Sequence, residues 1–433
     1  MTFCEEDPKL FDRDLESTKE FLRTMAAFQA FYAPLHGYIC VFLCLFGFSS
    51  NFIHVIVLTR QSMRGSAVNS IMTAVALCDM GTMASYLIYI CHFVLKGKSP
   101  HNCSNGLTYL SMSFLLFHMF LSITLHTTTL WLAVAMAFLR RMTLHTTTLH
   151  SQWQRSRLAT KISLIVFFVV MLFSLPTLLV HRIVEYEADV WRPKPSCMEF
   201  YPANYTETIY TLAIAPTAMH NGCRWFKANL WLTGTLFKVI PCILLIILIS
   251  SLLLKLKNAE QKRRLLLLNG GVGNDTNKRI TSDKTTVMLL AILAVFLFTE
   301  FPQGILSILS AVYTNDVHNM IYFMLGDVLD LLSLVNSSVN FVLYCLMSSR
   351  YRHTFCTTIL PVTWLRCSGL RSQTQPNVAL FTNTDFPSRM NNVEVCLTPD
   401  GRRSFRSSPA FRTVREPLIA QARLPLSARA SRG

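Results

Sequence analysis

Apolar residues gather along the chain into seven runs separated by polar stretches: about Gly37–Leu58, Ser66–Leu95, Thr108–Leu139, Ile162–Val180, Leu230–Leu254, Thr285–Val312 and Asn319–Met347. Each run is close to or above the roughly 20 residues with which an α-helix crosses a hydrocarbon core about 30 Å thick. The expected fold class is an all-α membrane protein: a seven-transmembrane helix bundle over residues 36–347, preceded by an extracellular N-terminal segment over 1–35. A short amphipathic eighth helix over 348–356 and a disordered cytoplasmic tail over 357–433 complete the expected organisation.

Basic residues set the orientation, because Lys and Arg in short loops resist translocation. The first connection carries Arg60 and Arg64, and the third carries Arg140, Arg141, Arg155, Arg157 and Lys161. The fifth carries Lys255, Lys257, Lys262, Arg263, Arg264, Lys278, Arg279 and Lys284. The even connections hold fewer, and in the long fourth one five acids match the bases. The odd connections are therefore cytoplasmic, with the N terminus outside and the C terminus inside. Residues 1–33 lack the apolar core of a cleavable signal peptide, so the first run reads as an uncleaved signal anchor.

Composition agrees with a bilayer environment: 52% of residues are hydrophobic and 15% charged, against about 25% charged in soluble domains. A net charge of +16 raises the question of nucleic acid, but the tail after Ser349 alone has thirteen Arg, no Lys and four acids. Positive-inside topology and attraction to an anionic leaflet account for this, and no nucleic-acid partner is expected. The heptapeptide Thr-Leu-His-Thr-Thr-Thr-Leu occurs at 124–130 and 143–149, once in a span and once in a cytoplasmic loop. It does not mark the repeated halves of a transporter. No Ser/His/Asp arrangement, metal-ligand spacing or phosphate loop falls at one site, so no enzyme is expected.

Of thirteen cysteines, Cys4, Cys103, Cys197 and Cys223 face the exterior, where disulfides persist. They allow three pairings; Cys103–Cys197 is the expected one, tying the top of span three to the loop between spans four and five. Outward sequons at Asn102 and Asn204 suit glycosylation. Cys356 and Cys367 follow the last span and suit palmitoylation.

Several motifs together resemble rhodopsin-like G-protein-coupled receptors. Asn51 stands in the first span, Ala76–Met80 matches the second-span Leu-x-x-x-Asp signature at Asp79, and Phe138–Met142 occupies the place of Asp-Arg-Tyr with Arg140. Pro241 and Pro302 match the fifth- and sixth-span prolines, and Asn340–Tyr344 fits Asn-Pro-x-x-Tyr, ahead of an eighth helix at Ser348–Phe355. More narrowly, Leu116–Arg140, Leu236–Leu245, Thr299–Leu306 and Asn336–Phe355 resemble invertebrate, especially nematode, myosuppressin and FMRFamide-type neuropeptide receptors and the related serpentine class w receptors. The resemblance implies an amidated peptide ligand, a heterotrimeric G protein of the Gi/o class and arrestin as partners. A chemosensory receptor for a small molecule shares nearly every motif and is the alternative.

The departures direct attention to particular residues. Leu139 replaces the acid before Arg140, and Asp283 near the foot of span six is the candidate substitute partner, so Arg140, Asp283, Tyr344 and Asn340 are the expected coupling residues. Phe341 replaces the seventh-span proline, which predicts a straighter helix. Cys103 lies 37 residues before Arg140, farther than is usual in the superfamily. Glu300 takes the place of the sixth-span aromatic switch and is the only formal charge between Thr285 and Val312.

Polar groups inside the membrane are functional candidates because burying them is costly. Asp79, Thr129, Asn336 and Asn340 form a candidate site for Na⁺ or ordered water. Glu300 lies 16 residues above Lys284, or about 24 Å at 1.5 Å per residue, in the outer half. Asp327 and Asp330, three apart, share a face of span seven. With Lys238 and His118, these three acids are the expected ligand-binding set, able to hold a guanidinium bidentately; the competing reading pairs Lys238 with an acid inside the bundle.

Overall fold

A computed structural model describes residue 4 and residues 7–96, 103–145, 155–268 and 276–359. Seven helices among them are long and apolar enough to cross a membrane. Helix α1 spans Glu16–Leu58, α2 Ala67–Tyr89 with a π-helical continuation Ile90–Lys96, α3 Tyr109–His145 and α4 Ser156–Ser174. Helix α5 runs through Pro216–Trp231, kinked where His220–Cys223 leave helical geometry, a π-helical stretch Leu232–Val239 and Ile240–Leu268. Helix α6 is Thr276–Val312, α7 joins a π-helical Thr314–Tyr322 to Phe323–Met347, and α8 is Ser349–Ile359.

Neighbouring contacts close a ring in the order α1, α2, α3, α5, α6, α7 and back to α1, with α4 outside against α2 and α3. The most continuous apolar core lies towards the cytoplasmic side, where Val57, Ile71, Met136, Leu245 and Tyr344 are almost wholly buried. Phe42, Ile165, Phe168 and Leu172 point outward instead, at little cost in lipid, which is as apolar as the core.

Two features differ from the expected organisation. Helix α1 begins at Glu16 rather than near Gly37, so the segment before residue 36 is largely helical. Its 43 residues make about 65 Å, roughly twice the hydrocarbon thickness. Good helix formers such as Ala26, Ala27 and Ala30 favour the extension, and half-buried Leu22, Met25 and Tyr32 give it an inward face. The Gln29 amide donates to the Phe323 carbonyl at 3.4 Å, docking that face on α7.

The second feature is a hairpin in the fourth connection. Strands β1, His181–Trp191, and β2, Glu207–Ile214, pair antiparallel with His181 opposite Ile214 and a register irregularity between Glu185 and Val190. β-Branched Ile183, Val184, Thr208, Ile209 and Thr211 suit this half-buried ribbon. Such short, mixed segments carry no long apolar run. The fourth span reaches Val180 as expected, broken at Leu175 between Ser156–Ser174 and a short helical turn Pro176–Val180.

Candidate functional site

The deepest polar cluster centres on Glu300, which has no exposed surface. His126 Nε2 of α3 lies 2.8 Å from its Oε1, and Lys238 Nζ of α5 lies 3.5 Å from its Oε2. The Asn336 amide of α7 donates to Oε1 at 3.3 Å. Lys238 also donates to Gln303 Oε1, while the Gln303 amide donates to the Thr299 carbonyl at 3.1 Å and to Ser333 Oγ at 3.3 Å. Four helices thus meet on one carboxylate, whose desolvation is offset by basic groups the protein itself supplies.

Local sequence explains how Lys238 arrives there. A Cβ on Gly234 would lie 3.0 Å from the Ile308 backbone nitrogen, and one on Gly304 3.0 Å from Val239 Cγ2 and 3.1 Å from Lys238 Cβ. These two glycines let α5 and α6 approach closely. Pro241 lacks an N–H and crowds the carbonyl four residues before it; the π-helical stretch that accommodates it carries Lys238.

The outer acids make their direct contacts outside this cluster, although Lys238 and His126 act electrostatically on Asp330. Asp330 accepts the Tyr86 hydroxyl of α2 at 2.9 Å. Asp327, with a side chain 35% exposed, lies 3.8 Å from His36 Nε2 of α1. Among the described residues neither acid has a Lys or Arg within 4.0 Å. The expected set of three acids around Lys238 therefore divides in two, because Lys238 and Glu300 serve one another. His118 is a buried packing ring, stacked on Tyr89 at 5.0 Å and Phe114 at 6.0 Å and edge-on to Tyr86 at 4.7 Å.

Towards the cytoplasm, the Asn340 amide donates to Asp79 Oδ2 at 3.3 Å, with Ser337 as a further partner of that acid. The other two residues expected there are engaged elsewhere: Asn336 on Glu300, and the Thr129 hydroxyl on the His126 carbonyl at 2.8 Å. Asn51 ties α1 to α7 by donating to the Ser337 carbonyl at 2.9 Å. Helix α7 continues through Phe341 without a break.

Arg140 lines a cytoplasmic cavity of about 390 Å³ with Leu139, Thr143, Ser66 and Arg350. The side chain of Asp283 lies outside the described residues. Tyr344 is buried, edge-on to His54 at 4.9 Å, and His54 Nδ1 bonds Tyr351 of α8 at 2.9 Å. Arg350 donating to the Ser62 carbonyl helps fasten α8 to the first cytoplasmic turn.

Outside the membrane, disulfides join Cys103 to Cys197, as expected, and Cys4 to Cys223. The second is the pairing that remains among four cysteines once the first is formed. Asn204 is exposed in the turn between the strands with φ of 65°, accessible to a glycan; Asn102 lies outside the described residues. Cys356 is half-buried on α8, and Cys367 lies outside the described residues.

A model of the serpentine type 7TM GPCR chemoreceptor Srw family matches residues 38–360, well over half of the chain. The chain belongs to this family. Among its relatives, the G-protein coupled receptor dmsr-1 of Caenorhabditis elegans is 33% identical over 381 residues, covering 79% of this chain and 71% of that protein. The sex peptide receptor of Drosophila melanogaster is 24% identical over 329 residues, covering 74% and 72% respectively. The receptor is a multi-pass plasma-membrane protein whose seven helices enclose the sites described above. Sequence reasoning missed His126 as the partner of Glu300 and Tyr86 as the partner of Asp330. Both signals were present, since a buried acid needs a donor at matching depth.

Proposed function

We propose that this receptor responds to an extracellular amidated peptide carrying an arginine, of the FMRFamide or myosuppressin kind, and signals through a heterotrimeric G protein of the Gi/o class. The observation that carries the proposal is Asp330, an outer-half acid bonded to a phenol and to no basic side chain among the described residues. A guanidinium satisfies such an acid bidentately. Asp327, one turn outward and partly exposed, adds a second charge. Tyr86, Tyr89, Phe114 and His118 supply an aromatic wall for the ring of a neighbouring phenylalanine. Similarity to the Drosophila sex peptide receptor supports a peptide ligand.

Glu300 and Lys238 act in this reading as a relay beneath the ligand, and His118 as part of its wall. A ligand that prefers one arrangement of four helices shifts their equilibrium by its differential affinity. The change reaches the cavity at Arg140, and Tyr344, Asn340 and Asp283 are assigned coupling roles with it on the strength of the resemblance. Asp79 and Asn340 fit a Na⁺ ion or ordered water, because Asn340 Oδ1 is buried beside the carboxylate without a partner among the described residues. Oxygen donors are what such a hard cation takes. Arrestin recruitment is assigned to the tail, whose Ser and Thr residues are candidate phosphorylation sites.

The test is a panel of amidated peptides applied to cells expressing the chain, with cAMP and calcium as readouts. Potent responses to Arg-containing members, lost when citrulline replaces arginine, are expected. A small-molecule ligand is the second reading, favoured by the family's description as chemoreceptors. Silence across the peptide panel with a response to small-molecule cues would favour it.

A further inference from the structure

The segment ahead of α1 is fastened to the extracellular rim of two other parts of the bundle. Cys4 is disulfide-bonded to Cys223 near the outer end of α5. The buried Asp7 carboxylate lies 2.7 Å from Lys227 Nζ, also of α5, and accepts the Asn315 N–H at 2.7 Å. Asn315 exchanges two further bonds with the backbone of Cys4, at 2.8 and 3.0 Å. Asp316, 2% exposed, accepts the Leu10 N–H at 2.8 Å and the Arg13 Nε and Nη2 at 3.1 and 2.7 Å.

These partners lie on α5 and at the start of α7, just past its junction with α6, and residues 7–15 then lead into α1. The segment therefore bridges the rim from α5 past α6 and α7 to α1. The held residues continue inward: His318, two positions after Asp316, packs on Phe226 of α5 at 5.2 Å and on Tyr322 at 5.4 Å. Tyr322 in turn lies about two helical turns outward of Asp330 on the same helix. The Arg13 side chain is 51% exposed while Asp316 is 3% exposed. Arg13, which also donates to the Asn315 carbonyl at 3.0 Å, faces water and can exchange these bonds for hydration, whereas Asp316 stays fixed by the Leu10 N–H; the charge left on Asp316 favours re-closure.

We propose that residues 7–13 form a latch that keeps the extracellular rim of α5, α6 and α7 closed above Asp330, with Arg13–Asp316 as the releasable contact and Cys4–Cys223 as the fixed anchor. The latch governs how readily any aqueous solute reaches Asp330, whichever ligand the receptor takes.

The experiment needs no ligand. Asp330→Cys is introduced into the full-length receptor, and its reaction with a cationic, membrane-impermeant methanethiosulfonate is followed on intact cells by peptide mass spectrometry of the surface fraction. The rate at residue 330 should rise about tenfold when Arg13→Ala or Asp316→Asn is added, the scale set by losing a charge-assisted hydrogen bond. Arg13→Lys, which keeps the charge with a single point of contact, should fall between. A reference cysteine at Glu187→Cys, exposed on β1, should react at one rate in every background. Equal rates at residue 330 with and without both latch substitutions would overturn the proposal. So would a parallel rise at residue 187, which reports general loosening. The rate is taken per surface molecule, so reduced expression of a variant leaves it unchanged, and the outcome is separate from whether an arginine peptide activates the receptor.

Discussion

Glu300 and Asp330 are acids on neighbouring helices, α6 and α7, and the bundle meets their charges differently. Glu300 is sealed from solvent and flanked by His126, Lys238 and Asn336. Asp330 has a tyrosine hydroxyl and, among the described residues, no Lys or Arg within 4.0 Å. A buried charge that the fold neutralises internally is part of the structure; one left with a neutral donor is available to a cation from outside. The same residue type thus serves two purposes, separated by what the facing helices present.

The largest effect should come from breaking the internal cluster. Lys238→Met leaves Glu300 with His126 as its remaining basic neighbour, and losing one member of a buried ion pair costs about 3–5 kcal/mol. The unfolding temperature of the detergent-solubilised receptor should fall sharply, along with surface expression. Adding Glu300→Gln removes the stranded charge and should restore much of the loss. If the double variant is as unstable as Lys238→Met alone, Lys238 matters through packing, and the contrast with Asp330 dissolves.

Asp330→Asn should behave in the opposite way. Its thermal stability should stay near the parent, because the Tyr86 hydroxyl keeps an acceptor. Potency of an Arg-containing amidated peptide should drop by about ten- to a hundredfold, the scale of a lost charged hydrogen-bond pair. The citrulline analogue should be indifferent to the substitution. A stability loss matching that of Lys238→Met would place Asp330 in the same structural class as Glu300.

Gly304→Val addresses how the cluster is assembled. The added side chain meets Val239 and Lys238 at close range, pushing α5 from α6 and Lys238 from Glu300. Overpacking of this kind costs about 1–3 kcal/mol, and the unfolding temperature should report it. Because α7 carries Asp330 and is not at that contact, peptide selectivity for arginine should survive in whatever receptor reaches the surface.

The seven spans and their orientation were legible because each rests on a local signal, apolar run length or loop charge; compartment singled out the four exterior cysteines but left three pairings among them. The extracellular hairpin and the helix ahead of Gly37 were not legible, since both lie in mixed polar segments whose structure is decided by docking. Within the site, depth along each helix was readable from residue counts, and rotation about the helix axis was not. That is why Glu300, Asp327 and Asp330 were expected to converge, and why Asn336 was expected beside Asp79. A π-helical stretch before Pro241 and two close-packed glycines set the rotation and spacing that give Lys238 to Glu300.

Asp327 offers the smallest and most discriminating test. Its side chain is 35% exposed and lies 3.8 Å from His36, so water screens whatever charge it offers to a ligand. Exposed charge pairs contribute about 0.2–1 kcal/mol, which predicts a potency loss of only about 1.4- to fivefold for Asp327→Asn. Raising ionic strength should shrink that loss further, since screening acts over about 8–10 Å in physiological buffers. The loss at Asp330→Asn should persist in the same salt series, because Asp330 lies one turn deeper, against the buried Tyr86. Equal losses and equal salt dependence at the two positions would mean that both acids face open water, and burial would then not be what separates a structural acid from a recognising one in this bundle.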